Sequence, residues 1–284
     1  RHGLSIRKSW LLFALHISVY YYQSKTSDDH QIRERLSELA DLHSRWGFWM
    51  LHHHLRGLGY KWNHKKVYRI YTEMKLNLRR KYKKRLPARV KEPLLQPIAP
   101  NITWSMDFMH DGLENGVRFR SFNVIDDYNR EVLGITLDKS LSSKRVIAEL
   151  SKLTEWRGIP ERIRVDNGPE FIAEAMRQWC ASNDIELKFI QKGKPNQNGY
   201  IERFNRTYRE EVLNRYEFSS INQARVFTGA WMWIYNNERP HKSLGYKTPN
   251  AFMEERLRGY APPSFLHDQQ INWKSLVLNA SVLG

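Results

Sequence analysis

Three acids have the types and spacing to do chemistry: Asp107 in Thr-Trp-Ser-Met-Asp-Phe, Asp166 in Arg-Val-Asp-Asn-Gly-Pro-Glu-Phe, and Glu202 in Gly-Tyr-Ile-Glu-Arg-Phe-Asn-Arg. Carboxylates are hard oxygen donors, and a few of them converging on one point suit a magnesium ion, which keeps several waters and completes its shell with substrate phosphate. Two such ions about 3.5–4 Å apart activate the attacking oxygen and stabilise the departing one during in-line displacement at phosphorus, with no covalent protein nucleophile. Asp107, Asp166 and Glu202 are therefore the expected metal ligands and catalytic groups. Each has a plainer reading. Asp166 fits an ordinary turn, and Glu202 fits a solvated helix face. Asp107 is harder to dismiss, because it lies between Met106 and Phe108 in an apolar strand, where an unpaired carboxylate is costly. Asp126 and Asp127 also follow a strand but precede Tyr-Asn-Arg, and read as turn or supporting groups; Glu170, Glu210 and Glu211 are substitutes in poorer positions.

The elements that must carry these acids alternate in a recognisable order. Period-two patterning predicts strands at Trp104–Met109, Arg118–Asp126, Glu131–Leu137, Arg162–Asp166 and Ile185–Ile190. Helical patterning predicts helices from Ser143 to Trp156, Pro169 to Ser182, Gly199 to about Arg215 and Ile221 to Asn236. The order βββαβαβα describes an α/β fold, a mixed five-stranded sheet flanked by helices. Asp107 then sits on a central strand, Asp166 at the end of a neighbour, and Glu202 in the first turns of a helix behind the Gly- and Asn-rich loop Lys192–Gly199. Asn205, Arg206 and Arg209 follow Glu202 at i+3, i+4 and i+7 on one helix face, where they would orient the carboxylate and hold phosphates. Asn167 and Asn205 are the expected supports of the site.

The N-terminal third reads differently. Residues 1–91 hold 21 Lys and Arg against 6 Asp and Glu, a net +15 of the chain's +16, which points to a polyanion-binding module joined to a near-neutral domain with another task. Ser5 and Ser18 are candidate caps of two short helices; Ile32, Leu36, Leu39 and Leu42 then mark one helix, Trp46 to Leu55 a second ended by Gly57 and Gly59, and His64 to Met74 a third capped by Asn63. That third helix carries Lys65, Lys66, Arg69 and Lys75 on one side and Val67, Ile70 and Tyr71 on the other, a helix-turn-helix pattern suited to phosphates. Arg79, Arg80, Lys81, Lys83, Lys84 and Arg85 continue the charge into a linker punctuated by Pro87, Pro93, Pro97 and Pro100. His52, His53 and His54 cannot share one ion, since consecutive helical residues diverge. Cys180, the single cysteine, reads as a helix core residue, and no apolar run is long enough for a membrane span.

Taken in order, these motifs resemble the second-frame (OrfB-type) part of an insertion-sequence transposase of the IS-three family, whose core is similar to retroviral integrases. The matching stretches are Gly3-Leu-Ser through Tyr20-Tyr-Tyr, Trp46-Gly-Phe to Leu76, Asn101 to Phe108, Val124-Ile-Asp-Asp-Tyr, Val165 to Phe171, Gly199 to Arg209, and Tyr235-Asn-Asn-Glu-Arg-Pro-His-Lys-Ser-Leu through Pro249. The resemblance implies an RNase H-like catalytic core with Asp107, Asp166 and Glu202 as its acids, and Arg209 as the basic residue that follows the glutamate. It also implies nicking at element ends and transfer of the freed 3′-OH with Mg2+ or Mn2+. The implied partners are double-stranded DNA of element ends and target, further copies of the chain on DNA, and an upstream-frame protein. The implied location is the bacterial cytoplasm, at the nucleoid when bound to DNA.

The expected domains are a short helix-turn-helix-like segment (1–27), a helical DNA-binding module (28–78), a basic proline-rich linker (79–100), the core (101–254) and an extension of unknown role (255–284). The chain begins at Arg1 without the upstream helix-turn-helix and leucine-zipper region of a fused transposase, so terminal-repeat recognition and multimerisation are expected to reside elsewhere. The competing readings are an RNase H-fold nuclease and a DNA-binding regulator from a decayed element.

Overall fold

In the computed structural model, residues 16–22, 29–78, 94–191 and 195–257 are described. The expected Ser5 cap, the basic residues Arg79 to Arg85 and the segment beyond 257 lie outside them. No helix among the described residues is long and apolar enough to cross a membrane.

Three helices, α1 (Asp29–Leu42), α2 (Phe48–Gly57) and α3 (His64–Glu73), pack round Ile32, Leu36, Leu51, Leu55, Val67 and Ile70, the residues that recur at helical spacing. Asn63 caps α3, its side-chain oxygen accepting the Lys65 N–H at 2.8 Å. Ahead of them, Ile17–Tyr20 forms one helical turn. Its start differs from expectation: the Ser18 N–H donates to His16 Nδ1 at 3.3 Å, so His16 rather than Ser18 satisfies the turn's free backbone.

The central layer is a five-stranded sheet in the order β3-β2-β1-β4-β5. Its strands are β1 (Thr103–Gly112), β2 (Arg118–Asp126), β3 (Val132–Asp138), β4 (Arg162–Val165) and β5 (Glu186–Phe189). The first three form an antiparallel meander, while β4 and β5 join in parallel, with Thr103, Trp104 and Ser105 opposite Arg162, Ile163 and Arg164. Strand β1 outruns its expected end at Met109, because its ladder with β2 carries through His110, Asp111 and Gly112 despite their polarity.

Alternation along β1 sorts the two faces. Trp104, Met106 and Phe108 face a core roofed by α4 (Ser143–Arg157), α5 (Pro169–Ile172) and α6 (Glu174–Ser182), where Cys180 is buried as expected. Met109 and Ile125 face a second core roofed by α7 (Gly199–Tyr208) and α8 (Ile221–Asn237). The expected helix from Pro169 to Ser182 is two, since Ala173 (ψ 139°) resets the axis and lets Phe171 and Met176 both reach the core. The expected helix from Gly199 to Arg215 is α-helical only to Tyr208, and Arg209–Leu213 is a π turn closed by the Asn214 N–H on the Arg209 carbonyl. A last helix, α9 (Pro249–Leu257), crosses the expected limit at 254.

The helical module lies against the core. Arg215 donates to the Leu42 and Asp41 carbonyls at 2.8 and 2.9 Å, a cation on the C-terminal end of α1, and the His53 ring stacks on Tyr246 at 4.3 Å. Replacing Asn63 by Ala should cost about 1 kcal/mol, the usual worth of such a cap. Denaturant unfolding followed by helical signal would show it as a lower midpoint with an unchanged slope.

Candidate active site

The position of the site follows from the parallel ladder. Ser105 stands opposite Arg164, so continuing that register by two residues carries Asp107 beside Asp166, just past the end of β4. On the other side of β1, Asp107 stands opposite Asn123. Helix α7 buries Ile201, Phe204, Asn205 and Tyr208 against this same sheet face, which leaves Glu202 exposed in its first turn.

Asp107 is held from two directions. Its Oδ1 accepts the Phe108 N–H at 2.8 Å, and its Oδ2 accepts from Asn205 Nδ2 at 2.8 Å. Asn205 Oδ1 in turn accepts from Asn123 Nδ2 at 2.7 Å, a buried relay between helix and strand. Burial first, and then the charges of Asp166 and Glu202, push the Asp107 carboxyl up to about 6 against the pull of those two hydrogen bonds. Asp107 is therefore near enough to feel the charges of both other acids. Asp166 folds into its own turn, Oδ1 accepting the Gly168 N–H at 2.9 Å. A Cβ at Gly168 would lie 2.9 Å from that oxygen, so only glycine leaves the carboxylate where it stands.

The donor set suits a hard divalent ion, and a cation would offset both the burial of the Asp107 carboxylate and the repulsion it meets from Asp166 and Glu202. Among the described residues, however, no group of three or more His, Cys, Asp or Glu side chains stands close enough together to enclose one. Ligation by all three acids requires them to draw inward from the positions described.

The other expected site residues divide. Asn205 lies where a support for Asp107 must be. Asn167 does not: it is exposed and donates to the Ile190 carbonyl at 3.1 Å, tying the Asp166 loop to the end of β5. Arg206 is exposed on α7. Arg209 is engaged with β1, donating to the His110 carbonyl at 2.6 Å and to Asp111 at 3.2 Å. In the module Lys65 is exposed, whereas Lys66 and Arg69 pair with Asp29 at 3.5 and 2.9 Å, and Arg69 also pairs with Glu73. The three histidines diverge, His52 stacking on Phe48, His53 on Tyr246, and His54 meeting the Glu238 carbonyl. Of the substitute acids, Glu170 pairs with Arg120 and Glu211 with Arg239. Sequence reasoning passed over Asn123 and Arg164; the first is marked by an asparagine at the centre of an apolar strand, the second by an arginine two residues before the acid.

The sheet order, with an antiparallel meander continued by parallel β4 and β5 under flanking helices, defines an RNase H-like core of the integrase type. Two integrase core domain models match the chain, over residues 97–195 and 183–249, and an HTH-like domain model matches residues 27–84. The chain is 39% identical over 265 residues to an uncharacterized 31.7 kDa protein of insertion element IS407 from Burkholderia multivorans, covering 93% of this chain and 96% of that one. It is 42% identical to an uncharacterized 39.2 kDa protein of element IS476 from Xanthomonas euvesicatoria, over 77% of this chain and 63% of the relative. It therefore belongs to the IS-three family of insertion-sequence proteins, in the OrfB-type form. Among solved structures it is similar to the HTLV-2 integrase catalytic core domain in complex with magnesium, at 20% identity and a TM-score of 0.40, covering 54% of this chain and 95% of that one. The sheet order, not that likeness, defines the fold.

A carboxyl raised from 3.8 to about 6 binds its proton more tightly in the folded chain, so its contribution to stability is present at low pH and is lost as pH rises from about 4 through 6. In metal-free protein at pH 7, Asp107→Asn should thus raise stability by about 1–3 kcal/mol. The gain should vanish below pH 4, which thermal melts across that range would test.

Proposed function

We propose that the chain is a DNA transposase that nicks the ends of an insertion element and joins the freed 3′-OH to a target phosphodiester, with Asp107, Asp166 and Glu202 as its catalytic acids. One observation carries the reading: Asp107, Asp166 and Glu202 arrive from three different elements at one sheet face, where burial and the charges of the other two hold the Asp107 carboxyl up. Structural acids are dispersed or paired with bases, as Glu170 and Glu211 are. Family membership supports the same conclusion, as does the similarity to proteins named transposase, such as that of element IS904 from Lactococcus lactis, which is 24% identical over 164 residues.

When bound, a pair of Mg2+ or Mn2+ ions supplies Lewis-acid stabilisation at both oxygens of an in-line displacement. Asp107, Asp166 and Glu202 would hold them. Asn205 keeps Asp107 turned toward the site, and the Asx turn through Gly168 does the same for Asp166. Exposed Arg206, and Lys65 with the basic segment 79–85, would hold phosphates of double-stranded DNA; Arg69 and Lys66 would exchange Asp29 for phosphate, and Arg209 would fix β1 against α7. We divide the labour accordingly, with 1–78 and the linker 79–100 holding DNA, 101–254 cutting and joining it, and 255–284 unassigned. The assembly would contain further copies of the chain on DNA and an upstream-frame protein, at the bacterial nucleoid.

Purified protein, pre-cleaved element ends, target DNA and Mg2+ should give joined products; hydrolysis alone would favour the nuclease reading. Asp107→Asn, Asp166→Asn or Glu202→Gln should each lower joining by about 100-fold or more, the loss of several kcal/mol of transition-state stabilisation, with DNA affinity unchanged. Full joining by any of the three would sink the assignment of that acid. Gly168→Ala should slow joining without unfolding the chain, since it displaces only the Asp166 carboxylate, and parallel melts would check the second half of that statement.

A further inference from the structure

The turn between β2 and β3 is polar and yet buried. Asp126, Asp127 and Asn129 are fully inaccessible, and Arg130 and Glu131 nearly so. Turns ordinarily lie in water, because buried polar groups cost unless they are partnered. Asp126, Asn129 and Glu131 find theirs within the turn and at Asn101, Pro249 and Arg157, whereas the partners of Asp127 and Arg130 come from the elements that carry the three acids. Asp127 Oδ2 accepts from Arg164 at 2.6 Å, an ion pair whose carboxylate has no exposure, and the Asp127 N–H donates to the Thr103 carbonyl of β1 at 3.0 Å. The Ser105 hydroxyl is near enough to favour the charged form of Asp127, although Ser105 Oγ and Asp127 Oδ1 each lack a well-formed hydrogen bond. Arg130 donates to the Asp127 carbonyl and lays its guanidinium over the Tyr200 ring at 3.4 Å, and the Tyr200 hydroxyl donates to the Leu94 carbonyl at 2.7 Å.

The offsets repeat. Ser105, Arg164 and Tyr200 each precede an acid by two residues, namely Asp107, Asp166 and Glu202. On the two strands an offset of two keeps a side chain on the same face, so Ser105 and Arg164 lie directly alongside the acids. On α7 it does not, and Tyr200 instead pins the first turn from the side away from Glu202. Arg130 holds this position with a left-handed backbone (φ 63°), a conformation that is unfavourable for a non-glycine residue and persists where the surroundings dictate it.

We propose that Asp127 is a positioning residue: with Arg164 and Arg130 it forms a buried polar layer beside the acids that fixes β1, β4 and the first turn of α7 at one mutual spacing. The proposal rests on the reading of Asp107, Asp166 and Glu202 as the reacting acids. The layer touches neither substrate nor the reacting atoms, and acts by setting how far apart the three carboxylates stand.

Amide hydrogen exchange on the full metal-free chain tests the tie without reference to activity. Asp127→Asn keeps the volume and removes the charge, and should speed exchange on the order of tenfold in residues 162–166 while β2 and β3 stay protected. Unchanged exchange there, or a uniform rise throughout, would overturn the proposal. Joining of pre-cleaved ends gives the second readout. Asp127→Asn should lower the rate at saturating DNA about 10- to 100-fold, the usual effect of losing a group that orients a metal ligand, leave the DNA concentration for half-maximal rate unchanged, and raise the Mn2+ requirement. The paired replacement Asp127→Leu with Arg164→Met removes a buried ion pair without stranding either charge, so thermal stability should return to near wild type while joining does not. Joining that recovers along with the melting temperature would mean that the layer is only structural. Failure of the underlying reading is distinguishable, because Asp107→Asn would then still join DNA, or wild type would not; the layer would lose its role in joining, and exchange alone would still decide whether the tie exists.

Discussion

Everything in the core depends on the short parallel ladder between β1 and β4. Three residues of each strand are paired, and that pairing joins a meander built from residues 103–138 to a parallel unit built from residues 162–189. Parallel pairing demands a crossover, which α4 supplies by burying Val146 and Leu150 on the far face. The near face is thereby left to α7 and α8. One register choice thus decides which strand end meets Asp107, and which sheet face remains for the helix bearing Glu202. A slip of one residue would turn the β4 side chains to the opposite face and part the two aspartates.

The electrostatics follow from that geometry. Bringing carboxylates together beside an apolar core is unfavourable, and the chain limits the cost rather than removing it. Asp107 receives two hydrogen bonds, Asp166 one backbone amide, and Glu202 remains in water. Asp107 is left partly buried and facing the charges of Asp166 and Glu202, a condition that a divalent cation would relieve. Asp127, by contrast, takes a basic partner, Arg164 at 2.6 Å, an arrangement that beside Asp107 would fill the place a cation needs.

Much of this was legible in residue order. The five strands, the placement of the three acids on strand, strand end and helix start, and the Asn63 cap all follow from local patterning, because period-two and period-3.6 burial leave their mark on neighbouring residues. What stayed hidden depends on contacts distant in sequence. The π turn that opens at Arg209 is unmarked in Arg-Glu-Glu-Val-Leu, and the use of the Arg209 side chain turns on Asp111 and the His110 carbonyl of β1. The role of Asn167 turns on a carbonyl at Ile190, and the ion pairs of Lys66 and Arg69 turn on Asp29. The break at Ala173 belongs to the same class: a non-glycine, non-proline position where packing of Phe171 overrides helix propensity.

The π turn also separates two duties that a single helix could not perform together. Up to Tyr208 the helix keeps a phase that puts Asn205 on Asp107; after Leu213 the chain must send Phe218 into the core and Arg215 toward the Leu42 carbonyl. One wide turn shifts the angular phase between those halves. The segment ahead of it can be tuned for the carboxylates, and the segment behind it for the join between module and core, without either rotating the other out of register.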